Sequence, residues 1–176
     1  MKLIYIILFI FLINTASLVA QTISVVNIQS LIDNNVTYKN TLIKMEKDRE
    51  KYLKNFNLKE KELNKIFTDI ENSRLILSES ETNIQIDNYN IQLNNFTNLV
   101  DKFNFHYQNQ IFIIRENVLN IIIKLLENYA IKNNIELILD SNTYLIASNS
   151  LDITNEIKKE LDKMNFTLEY TNFEKN

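Results

Sequence analysis

Behind Met1 and Lys2 the chain runs apolar without a break from Leu3 to Ile13 (LIYIILFIFLI), then reaches small residues by Ala20. A charged start, an apolar stretch and a small terminal residue form a secretory signal peptide. The run falls short of the roughly 20 residues of a membrane span. Cleavage is expected after Ala20, with a cut after Ser17 or an uncleaved anchor helix as alternatives. Thr22 to Ile28 (TISVVNI) is β-branched, with Ile23 and Val25 on one face and Ser24 on the other, which predicts a strand. Gln29 to Asn35 reads as one or two helical turns.

From about Thr37 the period becomes helical. Alternating steps of three and four from Leu42 give Leu42, Met45, Arg49, Tyr52, Phe56, Lys59, Leu63, Ile66, Ile70, Ser73 and Leu77, of which eight are apolar. Lys44, Lys47, Glu50, Lys51, Lys54, Glu60, Lys61, Glu62 and Lys65 cover the remaining faces. A narrow apolar seam on a charged cylinder predicts a coiled-coil helix over 37–77. Ser78 and Glu81 form an S-x-x-E capping box, which predicts a turn and a new helix start; the alternative is one continuous helix. A second seam follows through Ile86, Tyr89, Leu93, Phe96, Val100, Phe103 and Tyr107, and then Ile111, Ile114, Val118, Ile121 and Leu125. Two adjacent steps of four at Tyr107–Ile111 mark a stutter. Helices joined by a short turn fold back antiparallel. From Ile111 to Leu126 the second helix is apolar nearly all round, so burial in a compact body is expected; Arg115, Glu116 and Lys124 argue against a membrane span.

After Asn133-Asn134 the period returns to two. Ile135, Leu137 and Leu139 alternate through Asp140, and Thr143 to Ser148 (TYLIAS) predicts a further strand. Thr154 is the expected N-cap of a short helix ending near Met164, with Glu156 in its first turn. Residues 165–176 show no clear period and are expected to fray. The predicted fold is mainly α with a small β part, a long antiparallel helical hairpin projecting from a small β-sheet body.

Composition narrows the function. The 176 residues include no Gly, Pro, Cys or Trp and one His, with a net charge of −3. Without Cys there are no disulfides, thiolate zinc sites or thiol nucleophiles. Without Gly there is no Gly-rich phosphate loop. The mild negative charge argues against nucleic acid as a partner. Asp140 and Asp152 have no partner acid, base or metal cluster in the sequence, so strand-end and capping roles are expected. His106, between Phe105 and Tyr107, is read as a seam or surface residue rather than a pH switch. Phe96, Phe103, Phe105, Tyr107 and Phe112 are read as packing. No catalytic residue, cofactor or metal is expected, and an enzyme is disfavoured.

The order of elements resembles the Skp/OmpH family of periplasmic chaperones. Val25-Val26-Asn27-Ile28-Gln29-Ser30-Leu31 is similar to that family's first strand and helix. Asn133 to Asp140 is similar to its Asn-Gly segment leading into a strand that ends in Asp, with Asn134 in place of Gly. Leu151-Asp152-Ile153-Thr154 matches its Asp-Ile-Thr before the last helix. The resemblance implies a homotrimer whose strands form a small barrel, with hairpin arms around a cavity. It implies a periplasmic holdase for unfolded outer-membrane proteins that works without ATP. On this reading residues 21–36 and 111–164 are the trimerisation body, with Ile23, Val25, Ile135, Leu137, Leu139 and Leu145 on its strands. Residues 37–110 are the arm, with its tip near 73–83, and 165–176 are a tail. Leu75, Ile76, Leu77, Ile84 and Ile86 at the tip are candidate client contacts, although Leu77 and Ile86 also lie on the seams and there suit hairpin closure. The family's tip is usually basic, whereas Asp69 to Asp101 carries six acids against Arg74 alone, a net of −5; membrane contact through the tip is therefore disfavoured. Lys44 to Lys65 carries +3 and is read as a solvated flank. The competing function is an exported coiled-coil scaffold or spacer that binds one specific envelope partner; the strands at both chain ends favour the chaperone.

Overall fold

A computed structural model of the chain describes residues 22–173. The signal peptide expected over residues 1–20 lies outside the described residues. The order is strand β1 (Ile23–Val26), helices α1 (Ile28–Asn34), α2 (Val36–Ser73) and α3 (Glu79–Asn133), strand β2 (Leu137–Asp140) and helix α4 (Thr154–Lys163). Short 3-10 turns at Ser141–Thr143 and Asn149–Leu151 separate β2 from α4.

α2 and α3 are about 57 and 82 Å long at 1.5 Å per residue. They pack antiparallel along the expected seams. Met45, Phe56, Leu63 and Ile70 of α2 are buried, as are Phe103 and Tyr107 of α3. Phe56 meets Phe96 and Phe103 edge-on at 5.9 and 4.9 Å, and Phe67 meets Tyr89 at 5.6 Å. Helix α2 ends at Ser73, earlier than expected, because Ile76 and Leu77 donate backbone N–H groups to the Ser73 carbonyl in a tight turn. The capping box then starts α3: Ser78 Oγ accepts from Glu81 N–H, and the Glu81 carboxylate accepts from Ser78 N–H at 3.0 Å. The Ser78 hydroxyl also donates to Glu81 Oε2 at 2.6 Å, and this bond, then the one from the Ser78 N–H, holds the Glu81 carboxyl below its ordinary range. The charged flank is laced by pairs such as Arg49–Glu46, Lys51–Asp48 and Lys59–Glu62, all within α2. Exposed pairs of this kind contribute little stability.

Below Tyr107 the buried stripe of α3 takes a different path from the expected one. It passes through Gln110, not Ile111, then Ile114, Val118, Ile122 and Leu126. Each step of four advances the stripe by about 40° around a helix of 3.6 residues per turn. The stripe thereby turns from α2 toward the body. Leu31, Ile32, Val26, Ile153, Ile157 and Leu161 complete that core. The expected burial of the whole lower helix does not occur in the single chain: Ile111, Phe112, Ile113 and Ile123 stay exposed.

β1 and β2 are parallel, with Ile23 opposite Leu137 and Val25 opposite Leu139. Val26 and Ile138 face the helices, whereas Ile23 and Leu137 are exposed. Three expectations need correction. Ile135 precedes the strand, its N–H donating to the Ala130 carbonyl at 2.9 Å to close the end of α3. Residues 144–148 form no strand. The 3-10 turn after Asp140, tied by Thr143 Oγ1 to the Asp140 carbonyl at 2.6 Å, diverts the chain, and an extended segment without a neighbour has no ladder to join. Leu145 is consequently fully exposed. Thr154 is the first residue of α4 rather than its cap. Asp152 Oδ1 accepts from the Thr154 N–H at 2.8 Å, while Thr154 Oγ1 accepts from the Asn27 N–H at 2.8 Å. Asp140 Oδ1 accepts from the first N–H of α1, at Ile28, at 3.2 Å. Both acids thus close the body's ends, the role expected of them.

The tail also departs from expectation. Residues 164–173 run as an extended strap along the hairpin, with Phe166, Leu168 and Tyr170 against the core and Phe173 buried. Tyr170 Oη donates to Asp48 Oδ2 at 2.6 Å, and Tyr52 Oη donates to the Phe173 carbonyl. Alternation places every second side chain inward, as in a strand, but the surface it meets is helical.

Two expected outcomes follow. Asn134, with φ 53° and ψ 41°, is the one left-handed residue among those described. Asn134→Gly should leave thermal stability nearly unchanged, whereas Asn134→Val should cost about 1–2 kcal/mol in unfolding at fixed chain concentration. The Tyr170–Asp48 contact should be pH-bounded. Burial, then the bond to Asp48, pushes the Tyr170 phenol up to about 12. The bonds from Lys51 and Tyr170 hold the Asp48 carboxyl below its ordinary range. A raised phenol stabilises below the unfolded value of about 10 and stops doing so as pH climbs to about 12. A lowered carboxyl stabilises above about 3.9 and stops as pH falls through its depressed value. Phenolate absorbance should show late-titrating tyrosines, of which Tyr170→Phe removes the one near 12.

Candidate functional site

Three surfaces carry recognition chemistry. The first is the arm tip. Leu75 and Ile76 occupy the turn between α2 and α3 and are 95% and 86% exposed. Ile84, on the first turns of α3, is exposed as well. Leu77 and Ile86 are half-buried. The five candidates therefore divide into three open side chains and two that partly close the hairpin. The tip's one cation, Arg74, pairs with Glu71 at 3.2 Å. Its free charge is carboxylate, a poor match to an anionic lipid surface. No helix among the described residues is long and apolar enough to cross a membrane.

The second surface is the uncovered side of the body. Ile23 and Leu137 sit side by side in the parallel sheet, both exposed. Leu145, Ile146 and Leu151 are exposed on the following segment, and Ile111, Phe112, Ile113 and Ile123 on lower α3. Val25 and Leu139, also named from the sequence, are less open, because Val25 bridges to Asp152 and its carbonyl accepts from the Ile153 N–H at 2.9 Å. Phe105 and Phe112, expected in the packing, are instead exposed.

The third surface is the cleft at the root of the hairpin, where the strap ends. Phe173 stacks edge-on against Phe103 at 5.4 Å and Tyr52 at 5.7 Å, with the His106 ring at 5.6 Å. Gln110 Oε1 accepts from the Thr171 N–H at 3.0 Å, and His106 Nε2 lies 2.8 Å from the Thr171 carbonyl. A carbonyl only accepts, so that ring nitrogen donates. The Tyr107 hydroxyl beside them is buried without a hydrogen-bond partner, and its burial pushes the phenol above its ordinary range. Gln110 and the strap residues were not singled out from the sequence. The signal for the strap was present in the spacing of Phe166, Leu168 and Tyr170.

No group of His, Asp and Glu able to hold a metal ion exists among the described residues.

Comparison with known proteins agrees with this architecture. No curated protein matches the chain significantly. A crystal structure of a Caulobacter crescentus protein designated an OmpH-like outer membrane chaperone superimposes with a TM-score of 0.59 at 11% identity, covering 90% of this chain and 96% of that one. At that identity the likeness speaks for the fold. The family model for outer membrane protein (OmpH-like) matches residues 22–161, from β1 almost to the end of α4. The chain therefore belongs to the OmpH-like outer membrane protein family.

Proposed function

We propose that this chain is an ATP-independent holdase of the periplasm that binds unfolded outer-membrane β-barrel proteins and keeps them from aggregating before membrane insertion. The observation that carries the reading is a long helical arm with open apolar side chains at its tip, rooted in a body whose apolar face is uncovered. The body face accounts for assembly. Ile23, Leu137, Leu145, Phe112 and Ile113 are exposed on one chain, and self-association into a homotrimer would remove them from water, at roughly 25 cal/mol per Å². The arms would then stand around a shared space. The tip accounts for client contact: Leu75, Ile76 and Ile84 offer apolar surface without a fixed geometry. Several weak contacts suit a holdase, since affinity grows with their number and each releases easily. Release needs no nucleotide when the client has a more favourable end state in the membrane.

The test is dilution of a urea-unfolded outer-membrane β-barrel protein into nucleotide-free buffer, with and without the mature chain. Near-stoichiometric suppression of light scattering is expected. A folded sample that gives no suppression would instead favour the scaffold that binds one specific partner. Leu75→Asn with Ile76→Asn should raise the half-effective concentration about tenfold while leaving the helical content unchanged. Sedimentation should report a trimer, and Phe112→Asp with Ile113→Asp should shift it toward monomer. A wild-type monomer at micromolar concentration would sink the assembly part of the reading.

A further inference from the structure

The strap's last residues are held by a kind of contact found nowhere else along the described part of the tail. Three groups of the hairpin grip backbone rather than side chain: Gln110 takes the Thr171 N–H, His106 the Thr171 carbonyl and Tyr52 the Phe173 carbonyl. Such bonds do not depend on the sequence of the segment they hold. Between them, Tyr52, Phe103 and His106 form a socket for one aromatic ring, filled by Phe173, with Tyr107 behind them against Phe103 and His106. Gln110 is itself more than nine-tenths buried, and the Tyr107 hydroxyl is buried at the same place, beside the Phe173 backbone. Upstream, Phe166, Leu168 and Tyr170 face in while Thr167 and Glu169 face out.

We propose that the cleft bounded by Tyr52, Phe103, His106, Tyr107 and Gln110 is a binding site for extended peptide segments that present an aromatic side chain, and that the chain's own residues 166–173 occupy it as an intramolecular competitor. The alternation Phe166–Leu168–Tyr170 is the pattern of a strand that is apolar on one side, which is also the pattern of membrane β-barrel strands. The matching class of ligand is therefore an unfolded segment of alternating apolarity. In that respect the inference rests on the chaperone reading above. The family match ends at Leu161, ahead of the strap. Occupation by the tail lowers the apparent affinity for any other segment by the fraction of time the cleft is open.

The experiment uses the full mature chain and a fluorescein-labelled peptide of residues 165–173, read by anisotropy. A control peptide has its Phe and Tyr residues replaced by Ser. Phe173→Ala should bind the labelled peptide at least about tenfold more tightly than the unaltered chain, and the control peptide weakly. Adding Gln110→Leu to Phe173→Ala should take back about fivefold, the worth of one lost backbone bond. Equal binding by the unaltered chain and a folded Phe173→Ala would overturn the inference and leave the strap as packing. Should Phe173→Ala fail to fold, Tyr170→Phe, which removes only the bond to Asp48, decides in its place: a gain of about threefold supports the site, and no gain overturns it. Aggregation suppression in the same samples separates the two readings. Suppression without any peptide gain retains the holdase and rejects the cleft. A peptide gain without suppression retains the cleft as a peptide site and rejects outer-membrane proteins as its clients.

Discussion

The contact of α2 with α3 around Phe103 determines where everything else sits. Phe103 is fully buried and touches rings from α2, from its own helix and from the strap. Above it the seam zips toward the tip with Phe56, Leu63 and Ile70. Toward the body α3 becomes the spine on which α1, the sheet and α4 assemble. A deleted ring at such a position costs about 3–5 kcal/mol, because the cavity does not collapse. Arm and body are thus two halves of one helix with different neighbours, and the strap crosses the junction between them.

Periodicity made the arm legible. A local repeat of three and four identifies one face of a helix, and facing helices bury it whatever else happens in the chain. The capping box at Ser78 was readable for the same reason, since it is set by backbone geometry within a few residues. The misreadings share the opposite cause. Residues 144–148 have strand composition, but strand formation depends on a neighbour far away in sequence. Ile111 to Ile113 look like core because they are apolar, yet apolarity says only that a surface will be covered, and not that its own chain covers it.

The tail was missed for a subtler reason. Its alternation was short, and alternation normally points to a sheet, of which none lies nearby. The chain instead lays an extended segment on helices, with side-chain amides, imidazole and phenol replacing the missing ladder. Asp152 was placed correctly as a capping acid, but the division of labour with Thr154 was not. The Thr154 hydroxyl is drawn away by Asn27, a partner from the other end of the chain. Local rules give way where the two ends meet.

That meeting has a consequence for the order of events. The body is closed by pairs such as Ile28 with Asp140, 112 residues apart, while the arm is closed by near neighbours in sequence on either side of one turn. Chains emerge from synthesis N-terminus first, and contacts between distant segments form slowly. β1 appears first and finds its partner last. The arm can therefore be a finished rod while the sheet edge of β1 still waits, and assembly through the body face has to follow that final closure. A half-emerged chain already displays the tip before it has a face on which to associate.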